Sequence, residues 1–140
     1  LLESRNRIFG FCSTMDSRYP GIKLAEIIET QDDTEEAYHK MNEFLSRGVE
    51  IQAVFIAGGG VTGICRALEE HGMQAIHVVA CDTVPSFCQL VRGKKIQATA
   101  GQQPWQQGYQ ALNLAVQYLI DGSLERNVLI ENEIKLYENI

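Results

Sequence analysis

Ile51-Gln52-Ala53-Val54-Phe55-Ile56-Ala57-Gly58-Gly59-Gly60-Val61-Thr62-Gly63 is the stretch that decides the fold. A short apolar run rich in β-branched and aromatic residues ends on three glycines, and a helix-period pattern starts at once. That helix runs through His71, and Gly72 is its C-terminal stop. Ala75 to Cys81 (AIHVVAC) then reads as another strand, nearly continuous in apolar residues, as strands covered on both faces tend to be. Strand, glycine turn, helix and strand make one β-α-β unit, whose two strands lie parallel.

The same alternation extends in both directions. Downstream, a short helix from Pro85 to Val91 reaches Gly93, and Lys95 to Thr99 is a further strand. Pro104 opens a helix carrying Trp105, Tyr109, Leu112, Val116 and Leu119 on one face, Gly122 ends it, and Val128 to Leu136 supplies one or two last strands. Upstream, Asp33 with Glu36 three residues on resembles a capping box for a helix through Leu45 that Gly48 closes. That helix buries Ala37, Met41, Phe44 and Leu45, while Ile22 to Ile28 (IKLAEII) reads as a buried strand before it. Residues 3–18 favour a helix ended by Tyr19-Pro20-Gly21, because Pro20 disfavours the helical conformation at Tyr19. The pattern predicts an α/β fold, a three-layer α/β/α sandwich around a mainly parallel, doubly wound sheet.

Composition narrows the function classes. The chain has 140 residues, enough for one domain, and eighteen acids against twelve bases give a net charge of −6. Such a surface repels phosphate backbones, so the chain by itself is not expected to bind DNA or RNA. No apolar run of about eighteen residues indicates a membrane span. Cys12, Cys65, Cys81 and Cys88 show neither CxxC nor Cys/His ligand spacing, and read as reduced thiols in a reducing compartment, with no metal implied.

In parallel sheets of this kind ligands bind at the carboxyl ends of the strands, here Thr30 to Asp33, Gly58 to Thr62, Asp82 to Val84 and Ala100 to Gln103. Gly58 to Gly63 matches GxGxxG, and Asp82 lies nineteen residues beyond it, the spacing of a dinucleotide fingerprint. The same glycines also suit a tight turn with close helix–sheet packing, and a complete βα unit precedes them where the fingerprint normally sits in the first. Asp82 offers acceptors to a vicinal diol or, alternatively, a cap to the helix at Pro85. His39, His71 and His77 stand on a helix face, at a helix end and inside a strand, none at a loop beside a nucleophile, so no catalysis is expected.

Four segments in order resemble the type I periplasmic-binding fold of ribose-binding proteins and LacI/GalR-type repressors. They are Arg5 to Phe11 (RNRIFGF), Ile51 to Ala57 running into Gly63 and Arg66 to Gly72, Val78 to Asp82, and Gly93 to Gln102 with Pro104 and Gly108. The resemblance implies the C-terminal lobe of a sugar-binding domain with no cofactor, in which Arg7, Asp82 and Gln102 contact a sugar or related polyol. It places Gly58-Gly59 where the family usually has Asn-Asp, the Asn being a ligand contact. Loop residue Asp32 falls where the family often has an aromatic that stacks on the ring.

The start on Leu1 without an initiator Met fits a lobe whose N-terminal partner and DNA-binding headpiece lie elsewhere. The favoured expectation is the effector-sensing lobe of a cytoplasmic LacI-type regulator that touches DNA only through that headpiece. The alternatives are an exported sugar-binding protein of a transporter and an NAD(P)-dependent oxidoreductase built on the glycine loop. Because the helix opening at Pro104 would pack in the other lobe, its Trp105/Leu112/Val116 stripe is expected to be exposed here and to drive self-association into a homo-oligomer.

Overall fold

A computed structural model describes residues 2–123 and 127–140. Helices α1 (Leu2–Arg18) and α2 (Thr34–Ser46) precede β1 (Ala53–Ile56), α3 (Val61–Glu70), β2 (His77–Cys81), α4 (Pro85–Arg92), β3 (Ala98–Gly101), α5 (Pro104–Asp121) and β4 (Glu133–Leu136). The four strands form one sheet in the order β1-β2-β3-β4. The first three are parallel, with Phe55 opposite Val79 and Cys81 opposite Ala100. β4 returns antiparallel along β3. The architecture is the expected mixed α/β one with a mostly parallel sheet.

Burial alternates along β2, where Val78 and Ala80 are enclosed while Val79 on the opposite face remains 38 % exposed. The enclosed face meets the apolar sides of α2, α3 and α4 in one core that includes Met41, Phe44, Val61, Leu68, Val91 and Ile96. On the other face α1 is laid down by Phe11, whose ring stacks on Phe55 at 4.4 Å between centroids. Helices therefore sit on both sides of the sheet.

The helix ends follow the local chemistry read from the sequence. Asp33 accepts the Glu36 backbone N–H at 2.7 Å and so caps α2. Only half of the box forms, because the Asp33 N–H donates to the Thr30 carbonyl and Glu36 pairs with Lys40 instead. At the end of α3, Gly72 adopts φ +68°, and the Met73 and Gly72 N–H groups donate back to Leu68 and Glu69.

Two expected strands differ. Ile22 to Ile28 joins no ladder: Ile22, Leu24 and Ile27 are about half exposed, and only Ile28 packs on the core. Side chains from α2 tether this segment, Lys40 donating to the Glu29 carbonyl at 2.7 Å and Arg47 pairing with Glu26. An apolar run specifies burial potential, but a strand also needs a neighbour that offers its backbone. At the other end, Val128 to Leu136 yields only Glu133–Leu136, and β3 begins at Ala98, three residues later than expected. Residues 95 and 96 instead close off α4, both N–H groups donating to the Leu90 carbonyl, while the Gln97 N–H donates to the Val78 carbonyl of β2.

Helix α5 buries none of its residues. Trp105, Leu112 and Leu119 are 65–83 % exposed, and Trp105 stacks on Tyr109 at 5.4 Å. The stripe stands open although its helical spacing is that of a core face, as the family resemblance implies. No described helix is long and apolar enough to cross a membrane.

Candidate functional site

The parallel register brings β2 and β3 to an end side by side. Beyond the Cys81–Ala100 pair, the Asp82 N–H donates to the Ala100 carbonyl at 2.7 Å, and the buried Thr99 hydroxyl donates to the Asp82 carbonyl. These bonds hold Asp82 at φ +77°, a left-handed conformation that aspartate tolerates better than most residues. Gly101 lets the Thr83 side chain lie against the strand end, since a Cβ there would stand 2.5 Å from Thr83 Cγ2 and Oγ1.

Onto this edge α1 delivers Arg7. Its guanidinium donates from Nη2 to Asp82 Oδ1 at 2.9 Å and from Nη1 to Oδ2 at 3.3 Å, a two-pronged ion pair. Nη1 also donates to the Ala57 carbonyl, at the end of β1, at 2.7 Å. Gln102 Nε2 reaches the same Asp82 Oδ1 at 3.3 Å, and Gln107 of α5 donates to the Gln102 carbonyl at 2.8 Å. Arg7, Asp82 and Gln102 thus converge from a helix and two loops on one rim. Asp82 does not cap α4, whose N-cap is Val84 with no side-chain bond, so that reading falls.

Beside the rim lies a pocket of about 210 Å³ lined by Asp82, Thr83, Val84, Gln102, Pro104 and Gln107. It is smaller than a typical complete ligand site and opens toward solvent, as one wall of a cleft would. A larger hollow of about 560 Å³ along α1, lined by Phe9, Cys12, Ser13, Asp16 and Ser17, gathers no groups from separate elements. Sequence reasoning had placed Pro104 at a helix start and passed over Gln107. The missed signal was that a helix opening two residues after a strand-end glutamine carries its first turn into the site.

Asp32 and Gly58 are the remaining expected site residues, and they touch each other. Asp32 Oδ1 accepts the Gly59 N–H at 2.7 Å, and a Cβ on Gly58 would lie 2.3 Å from that oxygen. Ser4 Oγ, one helical turn before Arg7, is 3.4 Å from the same point. Asp32 and its neighbour Gln31 both have positive φ, at +61° and +51°. The glycine turn serves close packing throughout: Cβ atoms on Gly60 and Gly63 would stand 2.6 Å from Ala37 Cβ and 2.1 Å from the Thr34 carbonyl oxygen. The dinucleotide reading fails on this geometry. A carboxylate already takes a loop N–H that a pyrophosphate would need, and it would repel one.

Among the described residues the rim has no acid–base couple set for catalysis. Cys81 lies next in sequence to Asp82, but burial raises its thiol above the ordinary range, against the thiolate character a nucleophile needs. The described residues include no group of three or more His, Cys, Asp or Glu arranged to hold a metal ion.

The sequence matches the family model described as periplasmic binding protein domain over residues 2–123. The chain belongs to that family. It is a family of binding proteins rather than enzymes, and its fold is the one seen here. No curated protein sequence matches the chain.

Solved structures of this fold superpose closely. An ABC-transporter solute-binding protein from Agrobacterium vitis, solved with α-D-tagatopyranose, gives a TM-score of 0.86 at 23 % identity over 97 % of this chain and 46 % of its own. GanP, a glucose-galactose binding protein from Geobacillus stearothermophilus, gives 0.84 at 19 % identity over 96 % and 48 %. A Bacillus halodurans solute-binding protein with bound myo-inositol gives 0.82 at 24 % identity over 95 % and 46 %. The periplasmic-binding domain described here spans about half the length of these proteins.

Proposed function

We propose that the chain is the C-terminal lobe of a two-lobed solute-binding protein that holds a sugar or polyol and passes it to a transporter. The convergence of Arg7, Asp82 and Gln102 at the carboxyl edge of the sheet carries this reading. Guanidinium, carboxylate and amide present donors and acceptors in fixed planes, which suits a guest bearing several hydroxyls. The pocket beside them supplies one wall, and the second lobe closes over it. Two of the structural relatives named above are ABC-transporter solute-binding proteins, one solved with tagatopyranose and one with myo-inositol, which supports the transport role over the regulatory one.

The effector-sensing lobe of a cytoplasmic LacI-type regulator is the second reading, and the four free cysteines favour it, since exported proteins tend to oxidise such thiols. Thermal shift and calorimetry on the full-length protein, with a panel of pentoses, hexoses and inositols, test the shared claim. Stabilisation by at least one neutral or substituted sugar, lost in Asp82→Asn, is the expected result. The residues upstream of the lobe separate the two roles: a leader peptide supports transport, a helix-turn-helix supports regulation.

A further inference from the structure

The charges at the rim do not balance. Asp82 is matched by Arg7, and both of its oxygens accept hydrogen bonds from that guanidinium. Asp32 is not matched: Oδ1 accepts the Gly59 N–H, while Oδ2 has no partner and no cation pairs with the side chain among the described residues. Its position relative to the rim follows from direct contacts. Asp32 fills the space above Gly58-Gly59, Gly58 follows Ala57 directly, and the Ala57 carbonyl holds Arg7.

Residues 32 and 58 are reciprocal. Any side chain at 58 would collide with the Asp32 carboxylate, because even a Cβ would be 2.3 Å from Oδ1. Glycine at 58 therefore permits an acid at 32, whose carboxylate takes the space a side chain at 58 would fill. The Gly59 N–H and the left-handed backbone at 32 fix the direction of that charge.

We infer that Asp32 is the specificity determinant of the site, selecting a polyol that bears a cationic amino group and rejecting sugar acids and sugar phosphates. This rests on the proposed solute-binding role. Closure of a second lobe withdraws Asp32 from water, and an uncompensated carboxylate is costly to desolvate. A hydroxyl on the guest donates a hydrogen bond but leaves the charge; an ammonium supplies both donor and counter-charge. A guest carboxylate or phosphate adds like charge to the same spot.

The test uses the full-length protein and calorimetry at neutral pH with three matched sets: D-galactosamine and D-glucosamine, D-galactose and D-glucose, and D-galacturonate and D-glucuronate. The amino sugars are expected to bind about tenfold or more tighter than their neutral parents, with the uronates weakest. Asp32→Asn keeps an acceptor for Gly59 and tolerates the left-handed backbone, so it preserves the turn. It is expected to bring amino and neutral sugars within about twofold of each other and to improve uronate binding. Neutral sugars bound as tightly as amino sugars by the unaltered protein, or an amino preference that survives Asp32→Asn, overturns this inference and leaves the sugar-binding role standing. Failure of all six sugars to bind overturns this inference, and failure of the pentoses, hexoses and inositols as well overturns the solute-binding role.

Discussion

Replacing Gly63 with alanine separates packing from propensity. In a helix interior this change ordinarily stabilises by about 1 kcal/mol, since alanine restricts the unfolded chain and favours the helix. Here the new Cβ would lie 2.1 Å from the Thr34 carbonyl oxygen, 3.0 Å from the Tyr38 nitrogen and 3.1 Å from the Thr34 carbonyl carbon. All three are backbone atoms of α2, so no rotamer change relieves the contact, and α2 must withdraw by about 1 Å to restore ordinary separation. That movement loosens Ala37, Val61 and Ala67, each fully enclosed. Overpacking of this kind costs about 1–3 kcal/mol, and severity at the upper end offsets the propensity gain, leaving a net loss of about 1–2 kcal/mol. Gly108→Ala in α5 is the matched control, because nothing lies within 4 Å of its Cβ position. It should gain about 0.5–1 kcal/mol. Thermal unfolding of both variants beside the unaltered chain measures the difference, with midpoint temperatures moving about 3–5 °C per kcal/mol. Equal stabilisation by both alanines would show that the helices do not approach at Gly63, and the account of the glycine turn as a packing device would fail.

Asp82→Asn should cost ~0.5–1 kcal/mol of stability, because the Arg7–Asp82 pair is partly open to solvent with Asp82 39 % exposed. Ligand affinity should fall about tenfold or more in calorimetry; a fall in stability without a fall in affinity would remove Asp82 from the site. Burial pushes the Cys65 thiol from 9.0 up to about 11, so the folded protein resists ionisation that the unfolded chain undergoes. Stability is then full below pH 9 and declines as pH rises from 9 toward 11, and Cys65→Ala should flatten that decline in pH-dependent thermal melts. In thiol labelling at pH 8, Cys12 and Cys88, which are partly exposed, should react before Cys65 and Cys81. The 140-residue chain alone should self-associate through α5, and Leu112→Asp should shift it toward monomer in light scattering; a monodisperse monomer of the unaltered chain would contradict this.

The sequence made legible what depends on local chemistry. The Asp33 cap, the glycine stops at 48, 72 and 122, and the apolar strands around Val54 and Val78 all announce themselves within a few residues. The convergence of Arg7, Asp82 and Gln102 was reachable because parallel strands must end on one edge, and the resemblance supplied the arginine. What escaped depends on contacts between distant segments. Ile22 to Ile28 has strand composition, yet nothing in those seven residues says whether a neighbour accepts its backbone. The GxGxxG match was ambiguous for the same reason. Its meaning turns on Asp32 and Thr34, some thirty residues upstream, which occupy the space that a phosphate reading would leave open.

Asp32 and Asp82 both stand on backbone turned to positive φ, +61° at residue 32 and +77° at residue 82. Such torsions admit aspartate, asparagine and glycine readily and penalise bulky or branched side chains. Exchange at these two places therefore costs the backbone least among three choices: charged, amidated or empty. Descendants of this protein that adopt a new guest would change its polarity there in discrete steps, and would adjust for its bulk at positions such as 84 and 107, where the chain is free of that restriction.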